Sequence, residues 1–171
     1  ATESGWSAVL KRLFEAMYGF LPFGAGAILL VLLAGQFHLH HLYHWMDQTL
    51  YFEYMLADGS YSHEMAEGAI DNPNFDKIIA NKGAYLNGTF FWLRTVVYIG
   101  TFLLFARLFR KWSLAEDEVG GTELHYKMYR RSAVFLVFFA VFSSTLAWDW
   151  IMSIDTHWFS TLFGWYTFSG M

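Results

Sequence analysis

The sequence predicts an all-α fold, a bundle of helices that cross a lipid bilayer. Of the 171 residues, 56% are apolar and only 15% are charged, whereas soluble domains average about 45–50% and about 25%. The apolar residues form a few long stretches, and Lys and Arg collect between them. This pattern indicates a polytopic membrane protein. The net charge of −4 leaves no basic footprint and excludes nucleic-acid binding.

Residues 1–20 are predicted to form an amphipathic helix that lies in the membrane interface. Large apolar residues recur at helical spacing along one side, and the basic residues Lys11 and Arg12 fall on the other. The apolar set is Trp6, Val9, Leu10, Leu13, Phe14, Met17 and Phe20. A signal peptide is the alternative, but the basic pair interrupts the apolar run and no small-residue cleavage site follows.

Residues 21–171 are predicted to form a transmembrane bundle with four spans. No charged residue occurs between Ala16 and Phe37, and Pro22 stands where a helix would begin, because proline is favoured in the first turn. The spans cover about 21–43, 85–106, 132–151 and 157–171. The last apolar stretch still runs at Met171, so we expect the chain to be part of a longer protein.

The two loops between these spans give the predicted topology. The segment 107–131 holds six Lys or Arg residues, whereas residues 46–84 hold two Lys residues. Because basic residues collect on the cytoplasmic side, the amino end and the 107–131 loop are assigned to the cytoplasm. The acidic 46–84 loop is assigned to the opposite, periplasmic side.

Two charged side chains fall inside predicted spans. Arg94 lies within the second span. It shares a helical face with Asn87, Tyr98 and Thr101. Asp149 lies near the outer end of the third span, within reach of the long Arg94 side chain if the two spans are neighbours. A charge inside the bilayer costs roughly 2.5–3.5 kcal/mol, so each of the two needs a reason to be there. A pair between them is feasible; the alternative is that Arg94 snorkels to the interface or pairs with a carboxylate for assembly alone.

Four histidines crowd the outer end of the first span, and two of them are predicted to be functional. His38 continues a small-residue face that packs against neighbouring helices, and His41 lies beside it. A histidine with its ordinary pKa of about 6.5 exchanges protons at physiological pH, as a proton path requires. His40 and His44 extend the outer face and are interpreted as interfacial anchors.

Two metal-binding interpretations of the histidines stay open at this point. The pairs His40–His44 and His38–His41 have the spacings seen in membrane di-iron enzymes, but such sites need further pairs. A bis-histidine haem b would need a ligand on another span, for which only His157 is available. The absence of cysteine excludes iron–sulfur ligation, haem c attachment and thiolate zinc sites. Redox chemistry would need an organic cofactor, a His-ligated haem, or metal in a partner chain.

The turn after the third span supplies the remaining polar candidates. Asp155 is either the N-cap of the fourth helix or a functional carboxylate, and His157 is either functional or exposed. Phe135, Phe138 and Phe142 follow one face of the third span. They could stack on a planar lipid-soluble ring, but packing against neighbouring side chains is expected.

These residues also carry a resemblance to a known family, the ActF family of bacterial alternative complex III. ActF proteins are its second NrfD-like, polysulfide-reductase-type membrane subunits. The resemblance rests on Trp148-Asp149-Trp150-Ile151-Met152-Ser153, Asp155, His157-Trp158-Phe159-Ser160-Thr161 and Phe163-Gly164. It extends to Gly5-Trp6-Ser7, Tyr85-Leu86-Asn87, Phe90-Phe91, Arg94, Ser113-Leu114-Ala115 and Asp117-Glu118. One departure is Thr156, where the family commonly has Pro, which loosens the turn that places His157.

The resemblance implies a subunit of about ten helices in the bacterial cytoplasmic membrane, of which about four are present here. Its complex oxidises a quinol such as menaquinol or ubiquinol, and passes electrons to cytochrome c, another periplasmic acceptor or a terminal oxidase. The implied partners are a sister NrfD-like subunit, with which quinol oxidation is chiefly associated, an iron–sulfur subunit and haem c subunits. Haem and iron–sulfur groups belong to those partners, and no covalent cofactor is expected in this chain.

On this basis we expect the chain to contribute a quinone-type cavity, a proton path, or both. The candidate residues are His38, His41, Arg94, Tyr98, Asp149, Asp155 and His157. The two outer histidines would accept a proton and Asp149 would relay it, while Arg94 keeps Asp149 ionised or polarises a quinone oxygen. The alternatives are a purely structural subunit and a His-ligated haem b protein.

Overall fold

The structure is a computed structural model that describes residues 11–56, 58–65 and 68–170. Most of this part is helical, in the order α1 (Lys11–Met17), α2 (Leu21–Gln36), α3 (Lys77–Lys82), α4 (Gly88–Val119), α5 (Glu123–Leu146) and α6 (Phe163–Ser169). Three stretches are long and apolar enough to cross a membrane: Leu13–Gln36, Gly88–Val119 and Glu123–Ile154. The prediction of helices that are long and apolar enough to span a membrane is therefore confirmed.

The first spanning stretch combines α1 and α2. They are joined by a tightened turn in which Gly19 donates to Ala16 O and Phe20 donates to Met17 O. Pro22 lies in the first turn of α2, as predicted. Residues 1–10 lie outside the described residues, so for them the interfacial helix stays a prediction.

The first span ends earlier than predicted, at Gln36 rather than near residue 43. The backbone leaves the helix at Phe37, and His38 takes a left-handed φ of 54°. The apolar Leu39, Leu42 and Tyr43 that prolonged the hydrophobic pattern belong to turns. Of these three residues only Tyr43 is buried, whereas Leu39 and Leu42 are exposed, so the apolar pattern continued past the end of the helix.

Helices α4 and α5 form a long hairpin. Asn87 caps α4, because its Oδ1 accepts a hydrogen bond from the Phe90 backbone at 2.8 Å. The two helices pack against each other through aromatic rings. The nearest pair is Phe105 and Phe135, whose ring centroids are 5.0 Å apart. The segment 107–131, predicted to be a loop, is helical except at residues 120–122. The prediction was wrong because the charged residues of this segment indicate where the helices leave the lipid, and not where the helices end.

The fourth predicted span, residues 157–171, is also corrected. The chain makes turns up to residue 162, and α6 covers only Phe163–Ser169. Asp155 therefore does not cap a helix; its Oδ1 accepts from the His157 backbone at 3.1 Å. Among the described residues three stretches, rather than four, have the length of a membrane span.

Residues 37–87 fold over the ends of the spanning helices, and we call this segment the cap. It holds α3 and a small sheet in the order β2-β1-β3, built from β1 (Tyr54–Met55), β2 (Tyr61–Ser62) and β3 (Ile70–Asp71). Both pairings are antiparallel, and Tyr54 faces Ser62 and Asp71. These strands are an exception to the all-α class predicted for the whole chain.

Most of the best-buried apolar residues lie where the cap meets the helices. The core consists of Leu32, Tyr43, Trp45, Met46, Leu50, Ile79, Leu86 and Phe91. Trp92 Nε1 donates to Gln36 Oε1 at 3.2 Å, so the start of α4 adjoins the end of α2. At the other end, Ser113 of α4 hydrogen-bonds the Glu15 carboxylate of α1. The amino end and the α4–α5 tip thus share one end of the molecule, opposite the cap.

Candidate functional site

A buried ion pair joins α4 to the end of α5. Arg94 Nε donates to Asp149 Oδ2 at 2.7 Å, and Arg94 Nη2 donates to Asp149 Oδ1 at 3.0 Å. The Asp149 side chain is 0% exposed and that of Arg94 is 11% exposed. This two-pronged geometry is the strongest form of an arginine–carboxylate contact. The Arg94–Asp149 pair predicted from the two spans is confirmed.

Tyr98 completes the cluster from the same face of α4. Its hydroxyl donates to Asp149 Oδ2 at 2.9 Å, and its side chain is buried. The carboxylate thus accepts three hydrogen bonds, two from Arg94 and one from Tyr98. Tyr98 also packs against Phe142 at a centroid distance of 5.1 Å, which places an aromatic ring beside the charge.

Two further guanidinium hydrogens of Arg94 are directed to the chain before α4. Both Nη atoms donate to the Tyr85 carbonyl, at 3.3 and 3.2 Å. The guanidinium carbon lies 4.1 Å from the Tyr85 ring centroid and 4.2 Å from that of Phe90. Arg94 therefore uses hydrogen bonds and two cation–π contacts to offset the loss of water around its charge.

A widened helical turn, Ala147–Ile151, sets the position of Asp149. It continues α5 with hydrogen bonds from residue i+5 to residue i. This geometry is rare in proteins, and where it occurs it is often at a functional site. Trp150, in the same turn, donates from Nε1 to Thr95 Oγ1 at 3.3 Å, and its carbonyl accepts from the Tyr43 hydroxyl at 2.8 Å. These contacts hold the turn between α4 and the cap.

The outer histidines do not join this cluster. His38 and His41 are exposed in turns beyond α2, so their predicted place on a buried helical face is wrong. The prediction assumed that the helix continued to residue 43. His40 instead folds back on α2: its Nε2 lies 2.9 Å from Val31 O, and its Nδ1 accepts from the Leu42 backbone at 3.2 Å. His44 is exposed, as expected of an anchor.

Asp155 and His157 are likewise exposed and separate from the Arg94–Asp149 pair. His157 Nε2 lies 2.6 Å from Asp76 Oδ2, and Asp76 Oδ1 caps α3 by accepting from the Ile78 and Ile79 backbones. Burial alone would raise the pKa of Asp76, but these backbone hydrogen bonds and the His157 contact lower it on balance. This contact fastens the turn after α5 to the cap.

A cavity of about 390 Å³ opens between the cap and the start of α4. Its wall is aromatic and amide-rich, with Gln36, Trp45, Met46, Gln48, Tyr51, Phe52, His63, Gly83, Leu86, Asn87 and Gly88. The Trp45 indole N–H has no hydrogen-bond partner within the described part of the chain. Burial raises the pKa of Tyr51 to about 12, so its hydroxyl stays protonated and bonds the Trp45 and Leu86 carbonyls.

This cavity does not match the predicted one. Neither Arg94 nor the outer histidines line it. It adjoins the cluster through the backbone, because Arg94 bonds the Tyr85 carbonyl and the next residue, Leu86, lines the cavity. Sequence reasoning missed Gln36, Trp45 and Gln48 as lining residues. Their only sequence signal is a set of amides and aromatics next to a span end, which is common at any membrane interface.

The phenylalanines of α5 pack against side chains, as expected. Phe135, Phe138 and Phe142 contact Phe102 and Phe105 of α4 at centroid distances between 5.0 and 6.4 Å.

Among the residues that the structure describes, no group of three or more His, Cys, Asp or Glu side chains could hold a metal ion.

Comparison with known proteins does not assign a family. No family model matches the chain, and no curated protein matches it significantly.

Proposed function

We propose that this chain is an integral membrane subunit of a bacterial respiratory quinol oxidoreductase, of the NrfD-like type found as ActF in alternative complex III. The proposal rests on the resemblance of the tryptophan-rich string around Asp149 and of the Arg94 region. The observation that carries it is that these two regions meet in one buried ion pair. We also propose that the full-length subunit has about ten spans and lies in the bacterial cytoplasmic membrane.

In this proposal the Arg94–Asp149–Tyr98 cluster supplies fixed charge to a proton path. Asp149 holds a negative charge that three donors orient, and Tyr98 provides a hydroxyl that can pass a proton along a hydrogen-bonded chain. His38 and His41, which are exposed at the cap end, would exchange protons with the outer aqueous phase rather than with Asp149 directly.

The quinone-type cavity of the proposal is the one between the cap and α4. Its volume of about 390 Å³ falls in the range of about 300–1,000 Å³ typical of small-molecule sites. A quinone ring would stack on aromatic walls, and its carbonyl oxygens would accept from the Trp45 indole or the amides of Gln36 and Gln48. Menaquinone and ubiquinone share these two requirements.

The partners of the proposal are those that the resemblance implies. They are a sister NrfD-like subunit, an iron–sulfur subunit, haem c subunits and a periplasmic or terminal-oxidase electron acceptor. Haem and iron–sulfur chemistry would be supplied by the partners, and this chain would supply the cavity and the proton path.

The test is quinol turnover by the intact complex purified from its native membrane. We expect Asp149→Asn and Tyr98→Phe to lower turnover, Asp149→Asn on the order of 100-fold as for lost proton-transfer groups, in complexes that still assemble. Gln36→Leu should raise the KM for quinol more than it lowers kcat. Tyr126→Phe, an exposed tyrosine at the other end of the molecule, is the matched control. Normal turnover in all three site variants would refute the proposal.

A purely structural subunit is the second candidate, and one observation favours it. Arg94 and Asp149 use most of their hydrogen-bonding groups on each other, on Tyr98 and on the Tyr85 carbonyl, and neither residue lines the cavity. A structural role predicts that Asp149→Asn lowers the amount of assembled complex, whereas the turnover of each complex that does assemble stays normal.

A further inference from the structure

Helices α4 and α5 carry two cation triads with identical spacing at the end opposite the cap. Each has basic residues at positions i, i+3 and i+4, which share one face of a helix. The triads are Arg107, Arg110, Lys111 and Lys127, Arg130, Arg131, and all six side chains are exposed. Like charges at this spacing repel each other. Within the described residues none of the six forms an ion pair.

The two triads lie at one level of the hairpin. Lys127 Nζ of α5 lies 4.8 Å from the Trp112 ring centroid of α4, and the Phe109 and Phe135 rings are 6.0 Å apart. The acidic residues of the hairpin lie beyond this level, toward its tip. They are Glu116, Asp117, Glu118 and Glu123. Charge is therefore sorted along the hairpin, with only cations at the level of the triads.

The α5 triad continues into an apolar stripe on the same face. The stripe consists of Val134, Val137, Phe138 and Val141, which are 44%, 67%, 39% and 54% exposed. From Arg131 to Asp149, α5 and its continuation rise about 27 Å, close to the thickness of the hydrocarbon core. If the turn that holds Asp149 lies near one boundary of the hydrocarbon core, the α5 triad therefore lies at the depth of the lipid headgroups on the opposite side. The stripe lies where acyl chains run.

The α4 triad has different surroundings. Arg110 Nη1 approaches Gly19, between α1 and α2, to within 4.0 Å of the position that a Cβ there would take. The α5 triad instead borders an open cleft of about 920 Å³. The cleft is lined by Glu123, Leu124, Tyr126, Lys127, Arg130, Arg131 and Val134.

We propose that the α5 face formed by Lys127, Arg130 and Arg131 binds the phosphodiester headgroup of an anionic phospholipid. Arginine forks pair with phosphate oxygens in a two-pronged geometry, and lysine adds a point charge. The acyl chains lie along Val134, Val137 and the residues that follow on the stripe. An amphiphile fits this face because cations and exposed apolar residues succeed one another along a single helix, which a soluble anion would not require.

The test measures lipid binding to the detergent-purified protein by native mass spectrometry and by thermal stabilisation. Phosphatidylglycerol and phosphatidylcholine with the same acyl chains are the probes, and inorganic phosphate is a separate arm. We expect phosphatidylglycerol to bind at least 10-fold more tightly than phosphatidylcholine. The triple change Lys127→Gln, Arg130→Gln, Arg131→Gln should weaken phosphatidylglycerol binding on the order of 100-fold, as expected from about 1 kcal/mol for each of the three basic residues.

Two matched variants separate a site from general attraction. Lys127→Arg with Arg130→Lys and Arg131→Lys keeps the charge and should keep most of the preference for phosphatidylglycerol. Arg107→Gln, Arg110→Gln, Lys111→Gln removes the same charge from α4 and should weaken binding less. Equal losses in the two neutral triples would overturn the proposal. Displacement of the lipid by millimolar inorganic phosphate would also overturn it. So would the finding that the α5 triple variant loses a copurifying protein and not a bound lipid.

Discussion

Asp149 has no exposed surface, and its carboxylate accepts hydrogen bonds from Arg94 and Tyr98. A carboxylate in this position is stable only while those donors are present, because an unpaired buried charge is far costlier than an unpaired exposed one. The pairing could be predicted from sequence, because each charge was unusual in an apolar stretch and each could offset the other. The role of Tyr85 as a carbonyl acceptor could not, since backbone acceptors leave no sequence signal.

Breaking the pair on one side should cost more than removing it entirely. Asp149→Asn or Arg94→Met alone should lower the free energy of unfolding by about 3–5 kcal/mol, because the remaining charge stays buried without its partner. The double variant Arg94→Met, Asp149→Leu should recover most of that loss. Equilibrium unfolding of the purified protein in mild detergent measures all three. Additive losses in the double variant would contradict the pairing.

The contact between Asp76 and His157 predicts a dependence of stability on pH. The folded-state pKa of Asp76 is lowered, so the stability that its carboxylate contributes is present above its unfolded pKa of about 3.9. That stability is lost as pH falls through the lowered folded-state value. Asp76→Asn should therefore destabilise the protein near neutral pH and lose this effect at strongly acidic pH.

Thermal unfolding in detergent between acidic and neutral pH measures this effect. The exposed Asp71→Asn in the same cap is the control, and its difference from the parent protein should be small throughout. A constant destabilisation by Asp76→Asn over the whole range would mean that the contact depends on geometry and not on the carboxylate charge.

At the scale of elements, the sequence predicted where apolar helices lie better than where they end. Pro22 and the Asp149 region were placed correctly, but the first span stopped at Gln36 and α4 and α5 continued to a three-residue turn. Hydropathy reports the solvent around a helix, and a helix can leave lipid without ending. It also cannot separate a buried turn, such as the one at Tyr43, from a helix. The predicted place of His38 and His41 on a buried helical face was wrong for this reason.

The docking of α6 on α5 depends on a glycine. A Cβ at Gly164 would lie 3.2 Å from Ser144 Cβ and 3.3 Å from Ser144 Cα. Because backbone cannot move aside as a flexible side chain can, Gly164→Ala should cost roughly 1–3 kcal/mol. Gly26→Ala in α2 is the matched control, since nothing lies within 4 Å of its Cβ position. Thermal midpoints in detergent compare the two, and equal midpoints would show that α6 is not held closely at this position.

At the scale of the whole molecule, the three spanning stretches found in the described residues lie between two chemically different ends. The cap and the turn after α5 are joined by His157 and Asp76, whereas the amino end and the hairpin tip are joined by Glu15 and Ser113. The sequence predicted that the amino end and the hairpin share a side, because charge bias is a property of the whole chain. It did not predict the sheet of the cap, since two-residue strands carry too little pattern to detect.

This arrangement predicts a definite pattern of chemical labelling, and the chain's lack of cysteine makes it measurable. In sealed cells or vesicles, a membrane-impermeant maleimide should label Ser60→Cys and Phe159→Cys from one side and Thr122→Cys only from the other. All three positions are exposed. Val137→Cys is 67% exposed in the structure, yet it should stay unlabelled until detergent is added, because lipid covers it and thiolates do not form in hydrocarbon. Labelling of Ser60→Cys and Thr122→Cys from the same side would contradict a topology in which the α4–α5 hairpin crosses the membrane twice.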